Sequence, residues 1–185
     1  MQQTEAWMRS QFYFKFKGVI KCSQCHSRRE SSDSKSTSLL QISVPTATRH
    51  SRAFDLQKRV NAYFQEDDIQ DWLCDNCGSK QDALRKFKLE NMPGRYLFVQ
   101  LNRFDFTVVG SRENARCQIA SHLYLPSETL RSGVPFKLLG WINHDDYGFG
   151  RLETGHYTTS FYQQGPSTSI VHVDDHNMTS TTTNF

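Results

Sequence analysis

The sequence predicts an α+β fold, mostly antiparallel sheet with one amphipathic helix. Three observations carry this. Short apolar–polar alternations recur along the chain, bounded by turn residues. A single stretch shows helical periodicity. Two Cys-x-x-Cys pairs lie far apart in the chain. The 185 residues suit one domain, or one domain with an appendage. A chain of this size buries enough surface to need no disulfide framework.

Gln11 to Ile20 alternates and is rich in aromatics, which reads as a strand. Ser27 to Thr37 has no apolar member and reads as a flexible loop. Leu39 to Val44 is a short apolar strand stopped by Pro45, followed by a polar linker from Thr46 to Arg52. Leu56, Val60, Tyr63 and Phe64 recur at i, i+4, i+7 and i+8, one face of a helix, with Asp55 as its cap. Lys86 to Leu89 is a strand ending before Pro93, and Tyr96 to Phe104 places Leu97, Val99 and Leu101 on one face of another. Pro135 to Asn143 reads as a further strand. Tyr157 to Tyr162 and Ile170 to Val173 form two more, joined by a turn at Gln164-Gly165-Pro166. The Ser/Thr/Asn-rich end, residues 179–185, reads as a disordered tail.

Composition excludes several classes. Aromatic residues make up 12% of the chain, too many for a disordered protein. The net charge of +3 is small, and acidic residues such as Glu66, Asp67, Asp68 and Asp71 interrupt the basic ones. Nucleic-acid binders concentrate Lys and Arg on one face, so no nucleic-acid partner is expected. No run reaches the ~18 apolar residues that span a bilayer, and Met1 to Gly18 has no signal-peptide core, so no membrane partner is expected either. The expected setting is cytoplasmic or nuclear, where thiols stay reduced.

Four of the five cysteines form the pairs Cys22-Ser-Gln-Cys25 and Cys74-Asp-Asn-Cys77. Two residues between thiols let both sulfurs of a pair face one ion. Four thiolates at ~2.3 Å close a tetrahedral Zn2+ site with no open position, which makes it structural. The competing readings are two strained disulfides or inert buried thiols, and the first conflicts with a reducing compartment. The 48 residues between Cys25 and Cys74 must hold their own structure and fold back so that the pairs meet. Cys117, between Arg116 and Gln118, reads as an ordinary thiol.

Among seven histidines, His156 stands out in Thr154-Gly-His-Tyr-Thr158. Gly155 permits a close approach by another segment. Asp174-Asp175 follows 18 residues later, at the end of the next strand. A hairpin of that length brings His156 beside Asp174. A carboxylate on one imidazole nitrogen fixes the tautomer and leaves the other to take a proton from a nucleophile. A satisfied structural histidine is the competing reading. His26, His50, His122, His144, His172 and His176 have no such context; His26, directly after Cys25, could compete as a zinc ligand although four thiols already suffice, and the rest read as solvated surface groups.

Taken in order, these motifs resemble the ubiquitin-specific protease family of deubiquitinating enzymes. Phe16-Lys-Gly18 before Cys22-x-x-Cys25, and Trp72-Leu-Cys74-x-x-Cys77 with Asp82-Ala83, are similar to the family's zinc-bearing fingers. Leu56 to Phe64 with Glu66 is similar to its helix. Leu101-Asn-Arg103-Phe104 resembles its L-x-R-F strand, Leu123-Tyr-Leu-Pro126 its next landmark, Gly155-His156-Tyr157 its histidine box and Asp174-Asp175 its acidic box. The resemblance implies a papain-like palm (about 91–178) with zinc-bearing β fingers (about 14–90), together 11–178. It implies a partial thiol-dependent deubiquitinase domain that acts at the ubiquitin C-terminus. It assigns His156 as general base, Asp174 as the residue that orients it and Asp175 as its acidic support. Cys22, Cys25, Cys74 and Cys77 match the zinc ligands. Gly155, Tyr157 and Phe104 match the walls of the channel for the ubiquitin tail, and Asn143 to Thr154 a loop that covers it. The implied partners are ubiquitin or a ubiquitinated protein.

The departures shape the expectation. The family's nucleophile lies in a Gly-x-x-Asn-x-Gly-Asn-x-Cys-Tyr type segment on a helical thumb, and no cysteine precedes Cys22 here. The thumb is therefore expected to be missing. Ile170 stands where the acidic box usually has Trp, and a Ser/Thr tail stands where a last strand usually follows. Without a thiolate no acyl-enzyme forms, so this chain alone is expected to be inactive. The alternative is an inactive pseudo-enzyme or adaptor that binds ubiquitin. In either case an apolar palm face is expected to be covered by a partner chain.

Overall fold

The computed structural model describes residues 2–30, 35–45, 53–105, 111–112, 115–145, 155–163 and 169–182. In chain order the elements begin with α1 (Gln2–Phe12), β1 (Phe14–Cys22), β2 (Arg28–Glu30), β3 (Lys35–Thr37), β4 (Leu39–Ser43), β5 (Ala53–Asp55) and α2 (Leu56–Tyr63). A long hairpin of β6 (Asp67–Cys74) and β7 (Ser79–Asn91) follows. Then come β8 (Phe98–Asn102), β9 (Phe104–Asp105), β10 (Ser111–Arg112), β11 (Arg116–Gln118), β12 (His122–Leu125) and β13 (Val134–Lys137). The last four are β14 (Gly140–Asp145), β15 (His156–Gln163), β16 (Ser169–Asp174) and β17 (Asn177–Thr182).

One antiparallel sheet runs in the order β2-β1-β7-β6, with β3 also paired to β1. Central β7 alternates from Lys86 to Glu90, and the alternation is interrupted at Leu84 and Arg85, both half-buried. Ala83, Phe87 and Leu89 turn inward, while Asp82, Lys86, Lys88 and Glu90 are exposed. A second antiparallel sheet runs β14-β15-β16-β17. Two pairs are parallel, β4 with β8 and β5 with β11. The sheet content is thus mostly, not wholly, antiparallel.

The main core joins the first sheet to the parallel strand pairs, α2 and the β12–β13 hairpin; among the described residues none of its members comes from β14–β17. Phe14, Leu40, Ile42, Leu56, Val60, Phe64 and Leu125 are buried in one cluster. Leu97, Val99 and Leu101 pack against it, the face the alternation predicted. Each buried side chain of this size stabilises by about 1.5–3 kcal/mol. Helix α2 begins where expected: the Asp55 side chain accepts a hydrogen bond from the Lys58 N–H at 3.0 Å. Gln57 ties α2 to β12 by acting as a surrogate strand residue. Its amide donates to the Tyr124 carbonyl at 2.9 Å and its carbonyl accepts from the Tyr124 N–H at 2.7 Å.

Several expectations change. Residues 2–12 form a helix that the sequence reading did not foresee. It is held by the Gln11 carbonyl, which accepts from the Arg95 and Tyr96 N–H groups, and by Phe12 stacked on Tyr96 and Phe98. Ser27 to Thr37 is not a featureless loop, since β2 and β3 both pair with β1. Pro135 to Asn143 divides into β13 and β14, which belong to different sheets. The expected tail is a strand through Thr182: β17 pairs with β16 from Asp174↔Asn177 to Ser169↔Thr182. β-branched threonines suit an edge strand whose side chains are all exposed. The linker 46–52 and the turn 164–166 lie outside the described residues, as does most of the covering loop, 146–154.

Candidate functional site

The two cysteine pairs meet because β7 lies between β1 and β6. Cys22 at the end of β1 sits opposite Ala83, and Cys74 at the end of β6 sits opposite Ser79. Both pairs therefore hang from one end of one sheet. Each pair also folds as the same small turn. The His26 N–H bonds to the Cys22 carbonyl at 3.1 Å, and the Gly78 N–H to the Cys74 carbonyl at 2.9 Å. His26 and Gly78 both take left-handed backbone, φ 58° and 67°. Gly78 does so without steric cost, whereas His26 is strained.

All five cysteines are free thiols. The four Sγ atoms lie within 4.8 Å of one another, with Cys22–Cys77 at 3.9 Å and Cys25–Cys74 at 3.6 Å. A tetrahedron of Zn–S bonds of ~2.3 Å has edges of about 3.8 Å, which these two distances match, so the cluster has the size to hold an ion such as Zn2+. Their electrostatics point the same way. The Ser27 hydroxyl, 3.0 Å from Cys25 Sγ, is the main cause that lowers Cys25 to about 5. Cys77 is pushed up to about 12, chiefly by its hydrogen bond with Cys25. One sulfur takes the charge and its neighbour keeps a proton. Only a multivalent cation allows all four to be thiolates together. Ser27 also lies 3.6 Å from Cys74 Sγ, and Arg29 pairs with Asp75 at 3.1 Å, so two further contacts cross between the pairs. No sequence motif marks Ser27.

The second constellation sits on the β14–β17 sheet. His156 opens β15 and Asp174 closes β16. Antiparallel pairing from Thr159↔Val173 onward brings them to the same end and face. His156 Nε2 is hydrogen-bonded to Asp174 Oδ1, and both residues are half-buried. That bond assigns Nε2 to the carboxylate and directs any proton-transfer role to Nδ1. Asp175 holds its carboxylate within 4.8 Å of both groups. It occupies the first position of the β16–β17 turn with φ 51°, a conformation that short Asp and Asn side chains tolerate better than most.

Gly155 has a steric reason to be glycine. A Cβ there would meet His144 Nε2 at 1.8 Å. The His144 ring lies over the glycine and against Tyr157, ring centroids 4.4 Å apart. The register explains this, since β14 pairs His144 with Tyr157. Tyr157 is 65% exposed. Phe104 lies in β9, paired with Arg112, and its side chain is outside the described residues. His144 and His172 are not the solvated groups that the sequence suggested. Both are half-buried, and His172 Nδ1 lies 3.0 Å from the buried Ser160 hydroxyl. Cys117 packs against the main core, with its thiol raised by burial. That shift is opposite to what activates a nucleophile.

A family model described as ubiquitin carboxyl-terminal hydrolase matches residues 1–184. The chain belongs to that family. Solved structures with the same fold include the SAGA DUB module of Ubp8, Sgf11, Sus1 and Sgf73 bound to monoubiquitin. It is 17% identical with a TM-score of 0.72, over 93% of this chain and 37% of that one. The yeast SAGA DUB module with a variant Sgf73 is 18% identical with a TM-score of 0.70, over the same shares. This hydrolase-family chain thus spans about 37% of the length of these neighbours, and at such identity the likeness establishes the papain-like fold and not the activity. No helix among the described residues is long and apolar enough to cross a membrane.

Proposed function

We propose that this chain is the fingers-and-palm part, about 11–178, of a thiol-dependent deubiquitinase that hydrolyses the isopeptide bond at the ubiquitin C-terminus. The observation that carries the reading is the His156–Asp174 pair, with Asp175 beside it, at the end of one sheet. In this reading Asp174 holds the imidazole in one tautomer, and Nδ1 takes the proton of an attacking thiol and returns it to the leaving lysine amine. Gly155, Tyr157 and Phe104 line the approach of the extended ubiquitin tail. Cys22, Cys25, Cys74 and Cys77 hold a structural Zn2+, which cross-links β1 to β6 and has no part in the chemistry.

A second reading is a ubiquitin-binding pseudo-enzyme or adaptor. One specific observation favours it for this chain by itself. Four of the cysteines are gathered at the fingers and the fifth packs into the core, so none is an activated thiol beside His156. The neighbours' assembly with other chains supports a partner over exposed apolar groups such as Trp7 and Phe98. The compartment in this reading is the cytoplasm or nucleus.

Ubiquitin carrying an electrophile at its C-terminus tests both readings. The chain alone should bind ubiquitin and form no covalent adduct. An adduct on Cys117 would overturn the assignment of the thiols, and no binding at high micromolar ubiquitin would overturn both readings.

A further inference from the structure

We propose that His156, Asp174 and Asp175 form a second metal site, for a divalent first-row ion such as Zn2+, separate from the four cysteines. One nitrogen and two carboxylates come within 4.8 Å of one another there. Bonds of ~2.1 Å to a common ion place adjacent ligand atoms about 3–3.4 Å apart. His156 and Asp174 must therefore separate slightly from their hydrogen-bonded contact, and the exposed Asp175 must swing inward. Asp175 is on a two-residue turn, where its side chain has room to do so. An imidazole with two carboxylates selects zinc, cobalt or nickel over magnesium and calcium, which prefer all-oxygen sites. Three protein ligands leave positions for water, so binding is weaker than at the closed thiolate site.

The proton balance is simple. The ion takes the Nε2 lone pair, so the neutral imidazole changes tautomer: Nε2 gives up its proton and Nδ1 gains one, with no net release, and only from the imidazolium does a proton leave to solvent. The ion and the hydrogen bond are therefore mutually exclusive. If the function proposed above holds, such an ion is an inhibitor, because it removes the bond that orients the base. Binding itself does not depend on that function.

The experiment uses the full chain with its cysteine site first filled by one equivalent of Zn2+. Cobalt(II) is then titrated and followed by absorbance and by paramagnetic broadening of the histidine ring signals. The expected result is one further equivalent, with weak d–d bands, no sulfur charge-transfer band, and broadening centred on His156. Asp175→Asn keeps a residue that accepts the turn and should weaken this binding by about tenfold or more. His156→Ala should abolish it. His176→Ala removes the exposed neighbouring imidazole and should leave it unchanged. Equal binding by wild type and Asp175→Asn, or loss on His176→Ala, would overturn the proposal. The readout is binding and not hydrolysis, so a failure here is distinguishable from a failure of the deubiquitinase reading.

Discussion

Gly155→Ala isolates the contact that places a glycine before the histidine. The new methyl would lie 1.8 Å from His144 Nε2, 2.5 Å from Cε1 and 2.8 Å from Cδ2, against ordinary contact from 3.4 Å. The imidazole must therefore retreat by about 1.6 Å, and such over-packing costs about 1–3 kcal/mol. Part of that is the His144–Tyr157 ring contact, worth about 0.5–1.5 kcal/mol. Alanine restricts the unfolded chain and returns about 0.4–1 kcal/mol. The net expectation is a loss of about 1–2 kcal/mol in denaturant unfolding of the zinc-loaded chain. A double-mutant cycle with His144→Ala decides the cause. With the ring gone the methyl loses its three nearest contacts, so Gly155→Ala should be nearly neutral in that background. That corresponds to a coupling of about 1–2 kcal/mol. Additive losses would refute the steric account and make the glycine's role conformational.

Three other expectations follow from the β2–β1–β7–β6 sheet. Chelating the metal should unfold the β1–β7–β6 end first, seen as lost amide protection around Cys22 and Cys74, while the β14–β17 sheet keeps its protection. Uniform loss across both sheets would contradict this. His26→Gly should raise the stability of the loaded chain by several tenths of a kcal/mol. The left-handed penalty of about 1–2 kcal/mol exceeds the added entropy of about 0.5–1 kcal/mol. A destabilised variant would mean that the His26 ring makes a contact of its own. Finally, Lys17 bonds Glu30 at 2.6 Å, and that hydrogen bond lowers the Glu30 pKa below 4.5 and raises that of Lys17 above 10.5. The Glu30 contribution is present above 4.5 and lost as pH falls through the depressed value. The Lys17 contribution is present below 10.5 and lost as pH rises through the raised one. Glu30→Gln should therefore differ from wild type near neutral pH and converge with it in acid, by denaturation midpoint.

Local order in this chain was readable where one physical period acts alone. Helix α2 showed itself because Leu56, Val60 and Phe64 repeat at helical spacing behind an Asp cap. β15 and β16 showed themselves by alternation, and the four thiols that gather in one cluster by their spacing. β6 did not, because its inward residues step from Ile69 to Trp72 across a bulge at Asp71, φ 56°, which breaks the period of two. β17 did not, because an edge strand with every side chain exposed carries no hydrophobic signal. α1 did not, because what fixes it is backbone hydrogen bonding and Phe12 stacking on residues more than 80 positions away.

By itself the sequence determined which chemical groups exist: four thiols in two pairs, an imidazole after a glycine, and two adjacent carboxylates 18 residues on. Which of them meet is a matter of strand register, and register comes from pairings across the whole chain. Only β7 between β1 and β6 brings Cys22 to Cys74, and only the β14–β15–β16 register sets His144 over Gly155 and His156 against Asp174. A shift of one residue would send each of these side chains to the opposite face. The folded core excludes that shift, because it would turn the buried face of each strand outward.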